Sequence, residues 1–287
     1  MKLALIFVIG VGMFVAMQRA AAQGSMTVQT SVQAGSAFSI QTSGSGEATL
    51  YVIGLGQVLK RSVQLGNPVY FEAGSLCDAG HYLVVLEQSS TVETKPLDVM
   101  AVSAPGRLSF LAKPSRLPVS VHEGITGAAY VFDSYGNLIV SPMSVSFQLS
   151  NSAGSVQKSD VTTHAGAAWI EMDSTGHQGI DQFVAQAGGI SSTRVIRQVP
   201  GDPCALKMSA QQTGPKLELK TEPVVDCSGN PALDGTIVTF TETYDGGQST
   251  ADVPLKHGIA EVAMPAHHGA TITVASGVVL GNQIREQ

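Results

Sequence analysis

Apolar residues in this chain recur mostly at every second position, in short runs broken by Gly, Ser, Asn and Pro. Ala48-Thr49-Leu50-Tyr51-Val52-Ile53 stops at Gly54-Leu55-Gly56, and Val69-Tyr70-Phe71 and His81-Tyr82-Leu83-Val84-Val85-Leu86 follow. A period of two puts alternate side chains on one face of a strand. Strands this short, separated by turn residues, predict an all-β sandwich. Ala101-Val102-Ser103-Ala104-Pro105-Gly106 and Val199-Pro200-Gly201-Asp202-Pro203 carry Pro and Gly, which suit neither ladder nor helix, and read as linkers. The pattern therefore predicts three tandem β-sandwich modules, over residues 23–102, 107–198 and 203–287.

The second and third of these modules repeat each other. Asp133-Ser134-Tyr135-Gly136-Asn137 is followed by Val145 and Phe147, as Asp226-Cys227-Ser228-Gly229-Asn230 is followed by Val238 and Phe240. Gly166-Ala167-Ala168-Trp169-Ile170-Glu171-Met172 matches Gly258-Ile259-Ala260-Glu261-Val262-Ala263-Met264, and Phe183 and Ala185 match Ile272 and Val274. Agreement in register over four segments marks an internal repeat.

These residues resemble bacterial immunoglobulin-like domains of the invasin/intimin type. That family shows a strand ending in Val-x-Asp-x-x-Gly-Asn, then a Val-x-Phe strand, then a Gly-x-Ala strand. The resemblance covers about residues 107–280. It implies a bacterial protein with a structural or adhesive role; the first module is only generally immunoglobulin-like. Well-known members hang such domains from an outer-membrane barrel, and this sequence has no region of barrel length, so that part of the role does not transfer. In the first module, Asp78-Ala79-Gly80-His81-Tyr82 resembles the tyrosine corner of the immunoglobulin fold, in which the Tyr hydroxyl bonds main chain across the corner.

Composition narrows the role. Charged residues make up 13%, and the formal net charge of -6 becomes -8 without Lys2 and Arg19. No basic patch stands out, so nucleic acid is not an expected partner. Lys2, the apolar run Leu3–Met17 and Ala20-Ala21-Ala22 read as a signal peptide over residues 1–22, with Gln23 as the first mature residue. The alternative is an uncleaved anchor, although the run is shorter than the roughly 20 residues a spanning helix needs. The expected mature chain has no transmembrane segment and lies outside the cytoplasm, in the periplasm, on the surface or in the medium.

In that setting the three cysteines gain meaning. The midpoint between Cys204 and Cys227 falls beside Thr213-Gly214-Pro215, the obvious turn, so a hairpin would bring the two together as a disulfide. Two thiols or a metal pair are the alternatives, and no nearby His supports a metal. Cys77 is left over, as a partly buried thiol or as an intermolecular disulfide.

Other candidates are few. Asp133, Gly136, Asn137 and Asp226, Gly229, Asn230 read as capped turns; as calcium loops they offer too few oxygen side chains. Trp169, the sole Trp, should point outward, either as a ligand contact or under the cover of a neighbouring loop or module. His267-His268 does not form a chelating pair, and no metallopeptidase, esterase or P-loop motif occurs. No catalytic, cofactor or metal residue is therefore expected. The partner would be a protein or a cell-envelope polysaccharide, and the alternative role is an accessory carbohydrate-binding module built on Trp169.

Overall fold

A computed structural model describes residues 23–286; the leader expected at residues 1–22 lies outside the described residues. Every regular element among the described residues is a β-strand. The chain divides into two compact units, one ending at Met100 and the other beginning at Ala101.

The first unit contains β1 (Ser25–Thr27), β2 (Ser31–Gln33), β3 (Phe38–Ser43), β4 (Glu47–Gly54), β5 (Gln57–Gln64), β6 (Val69–Phe71), β7 (Gly80–Gln88) and β8 (Thr91–Met100). They form a three-stranded sheet, β1-β3-β6, and a five-stranded sheet, β2-β8-β7-β4-β5. Ile40 and Phe71 from the first and Leu50, Val52, Val84, Leu86 and Leu97 from the second are buried, which makes an immunoglobulin-like sandwich core. The alternation seen in the sequence is the alternation of burial along β4 and β7.

The second unit opens with β9 (Arg107–Lys113), β10 (Arg116–Pro118), β11 (Ile125–Phe132), β12 (Ser144–Asn151), β13 (Val156–Thr162), β14 (Ala167–Met172), β15 (Gly179–Ala187) and β16 (Ile190–Val199). The sheet β14-β11-β9 faces β10-β16-β15-β12-β13 across a core centred on Phe110, Phe147 and Phe183. The Phe110 and Phe183 rings meet edge to face, 5.0 Å between centroids, a favoured aromatic arrangement. Pro114 lies between β9 and β10, where the chain leaves the first sheet and joins the second in parallel with β16.

A second core follows in the same unit, built by β17 (Met208–Thr213), β18 (Lys216–Thr221), β19 (Ile237–Tyr244), β20 (Gly247–Pro254), β21 (Glu261–Pro265), β22 (Thr271–Ser276) and β23 (Val279–Arg285). Its sheets are β17-β18-β21 and β20-β19-β22-β23. The repeat is visible as register: Phe147 pairs with Ala185 just as Phe240 pairs with Val274, and Ile125 pairs with Met172 as Leu217 pairs with Met264. One difference is local. Whereas β11 runs up to Asp133, β18 stops at Thr221, because Pro223 has no N–H to continue the ladder. Val225 then bridges Pro231 in isolation and accepts the Cys204 N–H at 3.0 Å.

Candidate functional site

The two Asp-x-x-Gly-Asn loops are the polar centres of the second unit. Asp133 is 1% exposed. Its Oδ1 accepts the N–H groups of Tyr135 (2.9 Å) and Asn137 (2.8 Å), and its Oδ2 accepts the Asn137 side-chain amide (3.0 Å). Gly136 takes the left-handed φ of +90° that closes the turn. A fourth donor comes from outside the loop, the Val102 N–H at 2.9 Å. The turn carboxylate thus seizes the linker that leads into its own sandwich.

Asp226 repeats the arrangement. Oδ1 accepts from Ser228 N (2.9 Å) and Asn230 N (2.8 Å), and Oδ2 accepts from Asn230 Nδ2 (3.0 Å) and from the linker N–H of Gly201 (2.9 Å). Burial pushes both carboxyls up, but the donated hydrogen bonds together outweigh it and hold each below the ordinary value. N–H dipoles point at the oxygens from several sides, which is the chemistry of a capped turn.

Cys204 and Cys227 are disulfide-bonded, with Cα atoms 4.8 Å apart. The hairpin that joins them differs in detail from the sequence expectation. Thr213 pairs with Lys216, so the turn is Gly214-Pro215, and the same register carries Pro203 opposite Asp226. Cys204 donates its N–H to Val225 O at 3.0 Å, and Cys227 lies two residues beyond that partner. The bond closes diagonally, from the linker to the Asp226 loop. In the first copy, Gly106 donates to Phe132 O at 2.8 Å as Cys204 donates to Val225 O. Gly106 and Ser134 therefore occupy the two cysteine positions. A Cβ on Gly106 would stand 2.6 Å from Ser134 N, so close backbone contact replaces the covalent link.

Asn230 also reaches beyond its own sandwich. Its Nδ2 also donates to Gly176 O (3.0 Å), and its Oδ1 accepts from Gln178 N (3.0 Å). Gly176 and Gln178 belong to the β14–β15 loop of the preceding sandwich. Ser120 Oγ and Ser228 Oγ, 2.7 Å apart, add a third contact across the same junction. Behind it lies a buried network: Thr175 donates to Gln198 Oε1 (3.0 Å), and Gln198 Nε2 donates to Asp181 Oδ2. Asp181 Oδ1 has no partner, and burial raises this carboxyl above its ordinary value despite the Gln198 hydrogen bond.

The remaining sequence candidates are dispersed. Tyr82 is buried and donates to Asp78 O at 3.0 Å across the corner at Gly80; burial, then Asp78 and Cys77, raise its hydroxyl pKa. Cys77 is half-buried, with its Sγ donating to Gly74 O at 3.5 Å. Trp169 is 64% exposed on β14, outward as the alternation implied. One cluster had no sequence signal. Glu242, 1% exposed, stands on β19 two residues after Phe240, where the first copy has Leu149 after Phe147. It accepts from His267 N (3.2 Å) and His267 Nδ1 (3.0 Å), and Tyr244 stacks on the imidazole at 3.8 Å. A hydrophobic alternation conceals such a substitution, because its neighbours remain apolar.

Among the described residues, no group of three or more His, Cys, Asp or Glu is placed to hold a metal ion, and no helix is long and apolar enough to cross a membrane.

No protein-family model matches the chain, and no curated protein matches it. Among solved structures it is similar to a tetra-tandem repeat from the extending region of a large adhesion protein, at 13% identity over 92% of this chain and 73% of the other, with a TM-score of 0.32. It is also similar to the chicken CNTN1 FN1-FN3 domains, at 11% identity over 93% and 99%, TM-score 0.37. A third is trypsin-activated alpha-2-macroglobulin from Escherichia coli, at 15% identity over 93% and 23%, TM-score 0.25. The scores are low, and the fold stands on the sheet registers given above.

Proposed function

We propose that this chain is an exported, non-enzymatic bacterial protein with a structural or adhesive role, built from immunoglobulin-like modules over residues 23–102, 107–198 and 203–287. The later two would be of the invasin/intimin type. They would act as a stiff spacer that presents binding surfaces to a protein or a cell-envelope polysaccharide.

The observation that carries this reading is how the repeated loop residues are spent. Asp133 and Asp226 each hold the linker entering their own sandwich, and Asn230 reaches the sandwich before it. These groups serve connection, in a unit whose polar motifs would otherwise be the first place to seek chemistry. The Cys204–Cys227 disulfide fastens the same linker and suits an oxidising compartment.

Fractionation of the native host, followed by the intact mass of the purified chain, tests the reading. A chain beginning at Gln23, recovered outside the cytoplasm with Cys204 and Cys227 resistant to alkylation before reduction, is the expected result. Recovery from the cytoplasm with residues 1–22 intact and all three cysteines alkylated would overturn it.

A further inference from the structure

Trp169 is not isolated on its sheet. In the register of β9, β11 and β14, Ala128 lies opposite both Leu111 and Trp169, so the three form one row across the sheet. The next row is Ser109, Tyr130 and Ala167. All six face outward, since the residues between them along each strand point to the Phe110 core. Trp169 is 64% exposed, Leu111 54% and Tyr130 37%.

The size pattern within these rows is specific. Trp169 has an alanine across from it, and so does Tyr130. Each large ring has a small neighbour over which it can lie along the sheet. The two rings are diagonal neighbours on adjacent strands, a separation that aromatic side chains bridge. The result is a two-ring platform with Leu111 at its flank.

Polar groups border the platform. Lys113, Thr126 and Glu171 make the row beyond Trp169, all exposed, and Ser109 lies beside Tyr130. On the far side Arg107 is drawn over the Phe132 ring at 4.6 Å. Cation and carboxylate thus stand together, so the border does not select a polyanion. Aliphatic area is limited to Leu111 and two alanines, so the apolar surface of this face is mostly aromatic ring. The first unit offers the contrast: Val58, Ile53 and Leu83 form an exposed row across β5, β4 and β7 that is wholly aliphatic. Rings flanked by hydroxyl, carboxylate and ammonium groups match a pyranose, whose C–H face packs on an aromatic ring while its hydroxyls reach the border.

We infer that the outer face of β9, β11 and β14, centred on Trp169 and Tyr130, binds a pyranose polysaccharide, two consecutive sugar rings resting on the two aromatic rings. This rests on the reading of the chain as an exported binding protein and names the chemistry of its partner.

Because Trp169 is the sole Trp, intrinsic fluorescence of the full mature chain reports this face alone. The probes are soluble β-glucan, mannan, chitin oligosaccharides and peptidoglycan fragments. At least one should give a saturable change in emission. In affinity electrophoresis against that polysaccharide, Trp169→Ala should weaken binding at least tenfold and Tyr130→Ala severalfold, while Tyr70→Ala, an exposed residue elsewhere, leaves it unchanged. Circular dichroism establishes that each variant is folded. Silence of the emission and the gels across the whole panel would overturn the inference, as would full binding by a folded Trp169→Ala chain. Either outcome would leave the exported-spacer reading intact, since that reading is judged by compartment and processing.

Discussion

Asn230 Nδ2 donates to Gly176 O at 3.0 Å, which ties the Asp226 loop of one sandwich to the β14–β15 loop of the sandwich before it. The same side chain accepts from Gln178 N and donates to Asp226, and it is buried. Removing it leaves the Gly176 carbonyl, the Gln178 N–H and one carboxylate oxygen short of a partner. Asn230→Ala should therefore destabilise the second unit by about 1–3 kcal/mol, read as a lower denaturant midpoint. An unchanged midpoint would mean that water replaces these bonds at no cost.

The loop carboxylates make acid a selective denaturant. Asp133 and Asp226 are held below their ordinary values, their donated hydrogen bonds outweighing burial. Their contribution is complete above the unfolded carboxyl value of about 3.9 and is lost as pH falls through the lower folded values. Stability of the wild-type chain should drop across that acid window. The drop should be shallower in Asp133→Ala and Asp226→Ala, which begin less stable at neutral pH. Parallel pH profiles for wild type and variants would refute the assignment.

Asp181 has the opposite sign. Burial raises its carboxyl, so the folded chain holds this proton more tightly than the unfolded chain. Its stability contribution is therefore present at low pH and is lost as pH climbs from the unfolded value through the folded one. Asp181→Asn keeps an acceptor for Gln198 and removes the buried charge. Its stability relative to wild type should rise as pH climbs from acid to neutrality, where the wild-type carboxyl has to ionise in its buried site. A variant less stable than wild type at neutral pH would show that the charge is needed.

The Cys204–Cys227 disulfide closes a chain segment of 23 residues. A loop of that length stabilises by about 3 kcal/mol, chiefly through the unfolded chain. The Cys204→Ser/Cys227→Ser chain should unfold at lower denaturant, while the unit ending at Met100 keeps its own transition. Calorimetry with and without reductant separates the two. An unchanged transition of the second unit would contradict a stabilising disulfide.

Period-two alternation located Phe147, Phe240, Ala168 and Ala260 on inward faces, because a sheet with one buried face imposes that period. The repeat of Asp133 in Asp226 identified two turns for the same reason: left-handed Gly and a capping carboxylate leave a side-chain signature. Other features left none. Asn230 reaches main-chain atoms of Gly176 and Gln178, which any residue supplies. Gly106 beside Ser134 replaces a disulfide with mere proximity, and no residue type announces proximity. Glu242 stands among apolar neighbours and depends on His267, 25 residues away in sequence. The outward position of Trp169 was legible from alternation, but Tyr130 and Leu111 join it only through the pairing of β9, β11 and β14, which one sequence does not disclose.

Stiffness of the second unit is the central claim, and a distance distribution tests it most directly. Spin labels at Lys158→Cys and Thr250→Cys, both exposed, report on the two sandwiches in a Cys77→Ser chain that keeps its disulfide. Double electron–electron resonance should give one narrow distance in that chain and a broad distribution once Asn230→Ala is added. A distribution already broad with Asn230 in place would contradict the junction as a rigid connection and, with it, the role of the repeated loops.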